Sequence, residues 1–383
     1  MSARPGSGGD GRIRVMHVCD KFGVRGSRMH GVSRLFSWWM PRFDAARFDV
    51  QLVHLKGRDE SARLLASQGV DSISLGKRKF DPTTWTALHR LVRRHRPHVL
   101  HVHGYVGANY GRPIARLERV KLVLHEHAAF PHVPAYQAAV DRLMAPILDV
   151  GIAVSESTRE FMVRRRFMRP DRIRVVFNGA PLDEFRPRSQ AEVAEARRRW
   201  GLRPEDRIVG VVGRLDAQKG VEFLIAAWPA VLERHPEARL LLVGEGELME
   251  RHRLECRRLG VSDRVLFAGF ATEIPLLQSV MEVQAFPSIW EGTPLTVFEA
   301  MAMGRPIVAT RIDGLAEVLS HEATALLVPP RDPAALSGAL VRLLDDRPLA
   351  QRLAAQAYAR SAAYDVRRTV DALQEIYEEL SAR

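Results

Sequence analysis

Short apolar runs rich in β-branched residues alternate along the chain with longer segments in which apolar residues recur every three or four positions. This alternation predicts β-strands and α-helices in turn, as in parallel sheets covered by helices. Two such series occur, separated by a polar stretch in which Pro187 and Pro204 bracket a short charged helix. The sequence therefore predicts an α/β fold of two doubly wound domains, with ligands at the carboxyl ends of the strands.

The predicted strands of the first series are 13–18, 50–55, 99–103, 122–125, 151–154 and 174–177. Those of the second series are 208–212, 240–243, 265–268, 283–286, 306–310 and 325–328. The predicted helices include 85–95, 158–166, 192–200, 221–235, 248–259, 294–303, 333–344, 348–358 and 366–380.

The domain boundaries follow from these elements. We expect a flexible tail over residues 1–12, a first domain over 13–190, a second domain over 191–364 and a separate helix over 365–383. The first dozen residues are rich in Gly, Ser and Arg and have no apolar segment of the kind found in signal peptides. The last helix carries one apolar stripe, formed by Val366, Val370, Leu373, Tyr377 and Leu380.

Charge and cysteine content narrow the class of protein. The formal net charge is +12, and residues 1–185 carry an excess of +14 while the remainder carries −2. An anionic partner of the first half and a merely solvated, arginine-rich surface both explain this asymmetry. Cys19 and Cys256 lie too far apart to imply a disulfide framework, so a reducing cytoplasm is the expected location. No apolar run approaches the length of a membrane span.

The segment after the first strand of the second series, Gly213-Arg214-Leu215-Asp216-Ala217-Gln218-Lys219-Gly220, leads into a helix. A glycine at the end of a strand lets the backbone approach a ligand closely. Two cations on a loop that feeds a helix N-terminus suit a diphosphate, although exposed loop charges explain an isolated pair equally well.

A second segment, Pro287 to Pro306, connects a strand to a helix and to the next strand. Thr293 and Pro294 are natural residues for the N-cap and first position of that helix, where backbone N–H groups can bind an anion. Glu291 precedes the turn and Glu299 lies inside the helix. A carboxylate accepts hydrogen bonds from two vicinal hydroxyls of a sugar. Capping by Glu291 and a surface ion pair of Glu299 are the alternatives.

Together these segments resemble glycosyltransferase family 4 over most of the chain. The two glutamates match that family's E-x7-E motif, and the loop from Gly213 to Gly220 matches its phosphate-binding loop. Asn178-Gly179 with Phe185 resembles its N-G-x-D-x-x-x-F element, in which the aspartate is either replaced by Pro181 or shifted to Asp183. Later landmarks are Gly314-Leu315-Ala316-Glu317 and Leu326-Leu327-Val328-Pro329-Pro330.

The resemblance implies a GT-B fold, with two Rossmann-like domains facing a central cleft and a C-terminal helix that crosses back to the first domain. It implies a retaining hexosyltransferase that uses a nucleoside diphosphate sugar in polysaccharide or glycoconjugate synthesis. The implied catalytic residues are His127, Glu291, Arg214 and Lys219. The implied donor-binding residues are Gly213, Arg214, Lys219, Gly269, Phe270, Glu291, Gly292, Thr293, Pro294, Leu295 and Glu299, and Gly31 lies on the acceptor side.

Histidines at strand ends of the first half are further candidates. His125-Glu126-His127 resembles the family's T-x-H segment, which would place His127 beside the donor sugar. His30-Gly31 stands where the family has Gly-Gly, and His101 and His103 end another strand. Histidines 125 and 127 point the same way along an extended segment, but no third metal ligand is evident. We expect most of these histidines to be packing residues.

No cofactor and no metal are expected, because the chain contains no Asp-x-Asp pair to chelate a metal-bound diphosphate. The expected partners are the nucleotide-sugar donor and an unidentified hydroxyl acceptor, either lipid-linked or a glycan. Two other functions remain open: a sugar-nucleotide epimerase or hydrolase on the same fold, and a basic nucleic-acid-binding protein. The latter lacks a recognisable binding motif, so no nucleic-acid partner is expected.

A contact with an anionic membrane, at its inner face, is a further expectation for the basic half. Trp38 and Trp39 lie near arginines, and Arg164, Arg165 and Arg166 form a cationic cluster. Aromatic and cationic side chains together suit a membrane interface. Core packing of the tryptophans and simple solvation of the arginines are the alternatives.

Overall fold

The computed structural model describes residues 11–23, 28–29, 31–78, 81–129 and 132–382. Residues 1–10 of the expected tail, and His30, lie outside this range. The chain forms two compact units. The first comprises residues 1–23, 29–177 and 367–383, and the second comprises 24–28 and 178–366. The main segment of the second unit begins at Asn178, whereas the sequence predicted a boundary at residue 190.

The first unit is built on one parallel sheet with strand order β3-β2-β1-β4-β5-β6-β7. Its strands are β1 (Ile13–Cys19), β2 (Phe48–Lys56), β3 (Ile73–Lys77), β4 (Val99–His103), β5 (Lys121–Glu126), β6 (Val150–Ala153) and β7 (Ile173–Val175). Its helices are α1 (Gly31–Trp39), α2 (Glu60–Ser67), α3 (Thr83–His95), α4 (Gly104–Glu118), α5 (Ala135–Met144) and α6 (Glu156–Arg166).

The second unit contains a parallel sheet with strand order β10-β9-β8-β11-β12-β13. After α7 (Gln190–Arg199), its strands are β8 (Arg207–Val212), β9 (Ala238–Val243), β10 (Val265–Gly269), β11 (Val283–Phe286), β12 (Ile307–Thr310) and β13 (Leu326–Val328). Its further helices are α8 (Val221–Arg234), α9 (Met249–Arg258), α10 (Ile274–Ser279), α11 (Leu295–Ala302), α12 (Asp313–Ala316), α13 (Pro333–Asp345) and α14 (Arg347–Ser361); the chain ends with α15 (Val366–Ser381).

The predicted α/β fold with two doubly wound sheets is confirmed, and all twelve predicted strands are present. Strand β3 was not among the predicted strands. This strand lies at the edge of the first sheet, has five residues, and contains Gly76 with a φ of +65°. A short strand interrupted by a left-handed glycine lacks the continuous β-branched pattern that signals a strand.

The C-terminal helix α15 packs with the first unit, as predicted. Its residues from Arg367 onward belong to that unit, and the whole predicted apolar stripe is at most 3% exposed. Polar contacts fix its position along the unit: the Gln374 side-chain oxygen accepts from the backbone N–H of Asp44 at 2.8 Å, and Thr369 donates to the Phe177 carbonyl at 3.0 Å. From Val370 to Leu380 the stripe is therefore a core surface of the first unit.

The segment that resembles the family's N-G-x-D element lies beside the start of α15. Ala180 and Asp365 form a parallel bridge, with reciprocal backbone bonds at 3.0 Å. A Cβ atom on Gly179 would lie 2.5 Å from the Tyr364 carbonyl oxygen, so only glycine fits. These two segments of the chain thus run side by side, and this close approach of the backbones requires a glycine.

The two tryptophans of α1 are core residues of the first unit. Trp38 is 5% exposed and Trp39 is fully buried, and Phe36 packs edge-on against Trp39. This decides between the two alternatives for these aromatics in favour of core packing. Within the described part of the chain, none of the helices combines the length and apolar character that crossing a membrane requires.

Candidate functional site

The topological switch point of the second sheet lies between β8 and β11, where the strand order reverses direction. Ligands of open α/β sheets bind outside the carboxyl ends of strands at such a point. The loop Gly213–Gly220 follows β8, and the loop Pro287–Pro294 follows β11. The two segments singled out from the sequence therefore meet at the place where this fold forms a binding site.

Close backbone packing holds these two loops together. Gly220 has a φ of +59°, and a Cβ atom there would lie 2.2 Å from the Pro287 carbonyl oxygen. The Ile289 N–H donates to the Gln218 carbonyl at 2.8 Å. Because no side chain fits between the loops at Gly220, any larger residue would push the β8 loop away from the β11 loop.

Glu291 is the centre of a polar cluster formed by both loops. Its carboxylate accepts from Lys219 Nζ at 2.5 Å, from Gln218 Nε2 at 2.9 Å and from Ser288 Oγ at 2.9 Å. The Glu291 side chain is only 6% exposed and that of Lys219 is 15% exposed. A charge-assisted contact in such a sheltered place fixes the position of both side chains.

Arg214 lies on the same loop and is also paired with a carboxylate. Its Nη1 atom is 2.5 Å from Asp216 Oδ2, and its Nη2 atom donates to Gln218 Oε1 at 3.2 Å. Gln218 thus connects Arg214 to Glu291. Both cations of the loop are held in place by a carboxylate, with which an anionic ligand would compete.

Helix α11 begins one residue later than predicted. Pro294 is the N-cap and makes no side-chain capping bond, and Leu295 is the first helical residue. Thr293 donates instead to the Gly292 carbonyl at 2.8 Å, so the predicted N-cap role of Thr293 and first position of Pro294 are wrong. The reason is local: the Pro294 φ and ψ of −70° and 131° are extended rather than helical. The helix still presents its first N–H groups toward this loop.

A second glycine, in α12, packs against the loop that follows β11. A Cβ atom on Gly314, in α12, would lie 2.0 Å from the Gly292 carbonyl oxygen. The later landmark Gly314-Leu315-Ala316-Glu317 therefore supports the loop that carries Glu291 by backbone packing.

Glu299 is fully buried within α11 and accepts a hydrogen bond from Gln278 Nε2 of α10 at 3.1 Å. The surface ion pair considered for Glu299 is therefore wrong, because the side chain is in the interior.

Gly269, at the end of β10, has a φ of +68°, and its carbonyl accepts from the Gly244 N–H at 2.8 Å. Gly244 in turn packs on Gly213. A Cβ atom on Gly244 would lie 2.0 Å from the Gly213 carbonyl oxygen.

Residues 213–220, 269–270 and 291–299 thus all lie at or after the carboxyl ends of strands β8, β10 and β11 of the second sheet. Two other predicted site residues belong to the first unit. Gly31 opens α1 and is exposed, and His127 follows β5 and is half-buried. His127 Nε2 lies 2.9 Å from His103 Nδ1.

Uncharged side chains that were not predicted from the sequence orient the charged ones. Gln218, Ser288 and Gln278 each donate a hydrogen bond to a predicted glutamate. For two of them the position in the sequence could have indicated a role in the site. Gln218 lies between the two loop cations, and Ser288 lies just past the end of β11. Gln278 lies on a different helix, so nothing in the local sequence connects it to Glu299.

A buried ion network in the first unit corrects one membrane expectation. Arg166 is fully buried and pairs with Glu126 at 2.5 Å and with Asp141 at 2.8 Å. Asp141 also binds Arg112 at 2.6 Å. Burial raises the pKa of Glu126, and the nearby Arg166 opposes that shift. Arg166 therefore stabilises the interior of the first unit and does not belong to an exposed cationic cluster with Arg164 and Arg165.

Comparisons with known proteins agree with this architecture. A family model described as Glycosyltransferase Family 4 matches residues 29–184, and one described as Glycosyl transferases group 1 matches residues 206–346. The crystal structure of the Anabaena protein HepE in complex with UDP and glucose superposes with a TM-score of 0.82 at 20% identity, covering 97% of this chain and all of that one. At this identity the likeness concerns the fold.

Two relatives illustrate the sequence matches. An uncharacterised glycosyltransferase of Methanocaldococcus jannaschii is 34% identical over 51% of this chain and 50% of its own length. The UDP-Gal:alpha-D-GlcNAc-diphosphoundecaprenol alpha-1,3-galactosyltransferase of Escherichia coli is 26% identical over 70% of this chain and 72% of its own. For several relatives the match thus spans about half of their length. The two family models together match most of the chain, which therefore belongs to the glycosyltransferases of family 4.

Proposed function

We propose that this protein transfers a sugar from a nucleoside diphosphate sugar to a hydroxyl group of an acceptor, with retention of the anomeric configuration. The observation that carries the proposal is the cluster of Lys219, Gln218 and Ser288 around Glu291, at the switch point of the second sheet. Cations and a helix N-terminus converge there, as binding of a diphosphate requires.

In this proposal Arg214 and Lys219 stabilise the negative charge that develops on the departing nucleoside diphosphate. The diphosphate competes with Asp216 and Glu291 for these cations, which are already positioned by their carboxylate partners. The N–H groups at the start of α11, which form the positive end of the helix dipole, further stabilise the negative charge of the diphosphate. Glu299, oriented by Gln278, accepts the ribose hydroxyls, and the base lies against the Gly269–Phe270 turn.

The state of Glu291 supports a retaining reaction that proceeds without a covalent intermediate. Three hydrogen bonds occupy its carboxylate, which makes it a poor nucleophile for a double displacement. We therefore infer that the acceptor hydroxyl attacks from the face that the leaving diphosphate vacates. Because Arg214, Lys219 and the helix N-terminus neutralise the diphosphate, we also infer that no metal is needed.

The test is a screen of UDP-, GDP- and ADP-sugars with polyprenyl-diphosphate-sugar and free glycan acceptors. The Escherichia coli relative is named for a UDP-sugar donor and a lipid diphosphate acceptor, so that pair comes first. We expect transfer in EDTA, and an α-linked product from an α-linked donor by proton NMR. An inverted product contradicts the retaining mechanism, activity that magnesium restores contradicts the metal-free site, and sugar release without acceptor supports a hydrolase.

We further propose that the first unit binds an anionic membrane through the outer face of α5. Tyr136 and Leu143 are 65% and 81% exposed, and with Ala139 and Val140 they follow the 3.6-residue repeat of one helix face. Arg142, on the same helix, lies over the ring of Phe167. An exposed apolar stripe beside cations, on a unit with excess positive charge, suits the boundary between lipid headgroups and acyl chains.

Liposome flotation tests this surface. Binding should need anionic lipid, weaken with salt, and fall in Leu143→Ser and in Arg164→Ser/Arg165→Ser, since each cation near such a surface contributes about 1 kcal/mol. Leu254→Ser is the matched control, because Leu254 is 57% exposed on the second unit. Equal loss with Leu254→Ser, or binding to neutral lipid alone, contradicts this docking surface.

A further inference from the structure

Two charged side chains that the proposed mechanism does not use lie beside the predicted place of the nucleobase. Arg28 is distant from this place in sequence, yet it belongs to the second unit. Its Nε atom lies 3.6 Å from Glu245 Oε2, and its guanidinium carbon lies 5.5 Å from the centre of the Phe270 ring. Phe270 directly follows β10, and Glu245 lies two residues past the end of β9. The charged pair therefore flanks the turn against which the proposed function places the base.

A backbone surface without side chains leads from the diphosphate loop to this pair. Gly213, Gly244 and Gly269 lie at the carboxyl ends of β8, β9 and β10, which are adjacent strands. Gly244 packs against Gly213 and donates its N–H to the Gly269 carbonyl at 2.8 Å. Neighbouring strands are about 4.8 Å apart, so this surface is about 10 Å long, comparable to the length of a nucleoside. A nucleoside whose diphosphate occupies the loop after β8 can therefore place its base beside the charged pair.

The contact between Arg28 and Glu245 is a poor device for stabilising the fold. A distance of 3.6 Å between nitrogen and oxygen is longer than a hydrogen bond, and the two side chains are 50% and 25% exposed. Exposed ion pairs of this kind contribute little to folding. By contrast, Arg207 of the same unit donates two hydrogen bonds to Glu282. Both members of the Arg28–Glu245 pair are instead accessible to a ligand from solvent.

The pair presents donors and acceptors side by side. Among the described residues, no group donates a hydrogen bond to the Glu245 carboxylate, whose partner is Arg28. Arg28 makes this contact through Nε, so its terminal Nη groups lie farther from the carboxylate. A guanidinium only donates hydrogen bonds, and a carboxylate only accepts them. One edge of the site thus combines a fixed donor with a fixed acceptor.

Such an edge discriminates among the nucleobases. Uracil and guanine have a lactam edge, in which a carbonyl oxygen stands next to a ring N–H, whereas cytosine and adenine have an amino group next to a ring nitrogen with a lone pair. Arg28 can donate to the carbonyl while Glu245 accepts from the ring N–H. The amino edge would bring donor against donor and lone pair against lone pair.

We infer that Arg28 and Glu245 select the base of the donor, and that they favour a base with a lactam edge over cytosine and adenine. The inference rests on the proposed function, which places the base at the Gly269–Phe270 turn. Uracil and guanine share the recognised chemistry. Guanine differs by an amino group next to the lactam edge, which gives the Glu245 carboxylate a second hydrogen bond.

Calorimetry with bare nucleoside diphosphates measures this selection without an acceptor or turnover. UDP and CDP differ only at the edge in question, as do IDP and ADP, so each pair is matched in size. We expect Kd to be about tenfold lower for UDP than for CDP, and for IDP than for ADP, the effect of one charge-assisted hydrogen bond. Tightest binding of UDP assigns the site to uracil, and tightest binding of GDP assigns it to guanine.

Two variants test the two residues. The amide of Glu245→Gln can turn to match either edge, so Kd should become nearly equal within each matched pair. Arg28→Ala should raise Kd about tenfold for the lactam member of each pair and much less for the amino member. Glu247→Gln is the matched control, because Glu247 is exposed on the same loop, and it should keep the wild-type preference. Thermal unfolding without nucleotide should show that all three variants are folded, since the exchanged side chains are accessible to solvent.

Several results would contradict the inference. These are equal Kd values within both matched pairs, tighter binding of ADP than of IDP, an unchanged preference in Glu245→Gln, and an equal loss of preference in Glu247→Gln. Absence of binding by every nucleoside diphosphate contradicts the proposed function itself. Selection of the lactam edge without any sugar transfer contradicts only the proposed function.

Discussion

Acidification should destabilise the first unit through its buried histidines. In the unfolded chain a histidine has a pKa of about 6.5, whereas burial lowers the pKa of His17 to about 3. The unfolded state therefore binds more protons than the native state between these values, and stability falls as the pH decreases through that range. The contribution is fully present above about pH 6.5 and is lost progressively toward pH 3.

The size of the effect follows from linkage. A histidine that stays neutral in the native state lowers the free energy of unfolding at pH 5 by about 2 kcal/mol relative to neutral pH. His17 contributes this amount, and His101, His103 and His125 act in the same direction because burial also lowers their pKa values. Glu126, whose pKa burial raises, works in the opposite sense and offsets part of the loss. Since domains have about 5–15 kcal/mol in total, the loss should be large.

Hydrogen exchange followed by mass spectrometry separates the two units in one experiment. Peptides from β1, β4 and β5 should lose protection between pH 7 and pH 5 more steeply than peptides from β8 and β9, after correction for the intrinsic exchange rate. In the second unit burial lowers the pKa of His252 to about 4, so the protection of that unit should also decrease with pH, although less steeply. His252→Gln is the control that should flatten it. Equal slopes for both units, or rising protection on acidification, would refute this reasoning.

The remaining predictions concern the donor site and the last helix. Lys219→Ala and Arg214→Ala should each lower kcat about 100- to 1000-fold in a folded protein, because each removes a charge-assisted contact to a group that gains charge. The surface variant Arg257→Ala is the control and should leave kcat unchanged. Full activity of either site variant excludes the phosphate assignment. Glu299→Gln should weaken binding of the bare nucleotide in calorimetry, since an amide accepts two hydroxyls only in part; an unchanged Kd contradicts the ribose contact. Deleting residues from Val366 onward should give insoluble or inactive protein, because it exposes the core face of the first unit; a soluble, active truncation would contradict the packing of α15.

The local sequence determined the elements of this protein and their order. Buried parallel strands are short, largely apolar runs, so β1, β4, β8 and β11 could be predicted without knowing their neighbours. The strand ends also located the ligand loops, because a glycine such as Gly220 allows a positive φ that other residues avoid, and a proline such as Pro294 fixes φ, whatever surrounds them. The apolar stripe of α15 predicted a buried face by its period alone.

Only the tertiary structure decided the partners and the protonation of side chains. The triplet Arg164-Arg165-Arg166 is uniform in sequence, yet Arg166 alone reaches Glu126 and Asp141 in the interior. Glu299 resembles a surface residue until α10 brings Gln278 against it. The histidines appear as separate packing residues until the parallel register and α15 connect them through Tyr377. Local sequence fixes dihedral preferences and burial period, whereas hydrogen-bond partners come from residues distant in sequence, which only the folded chain brings together.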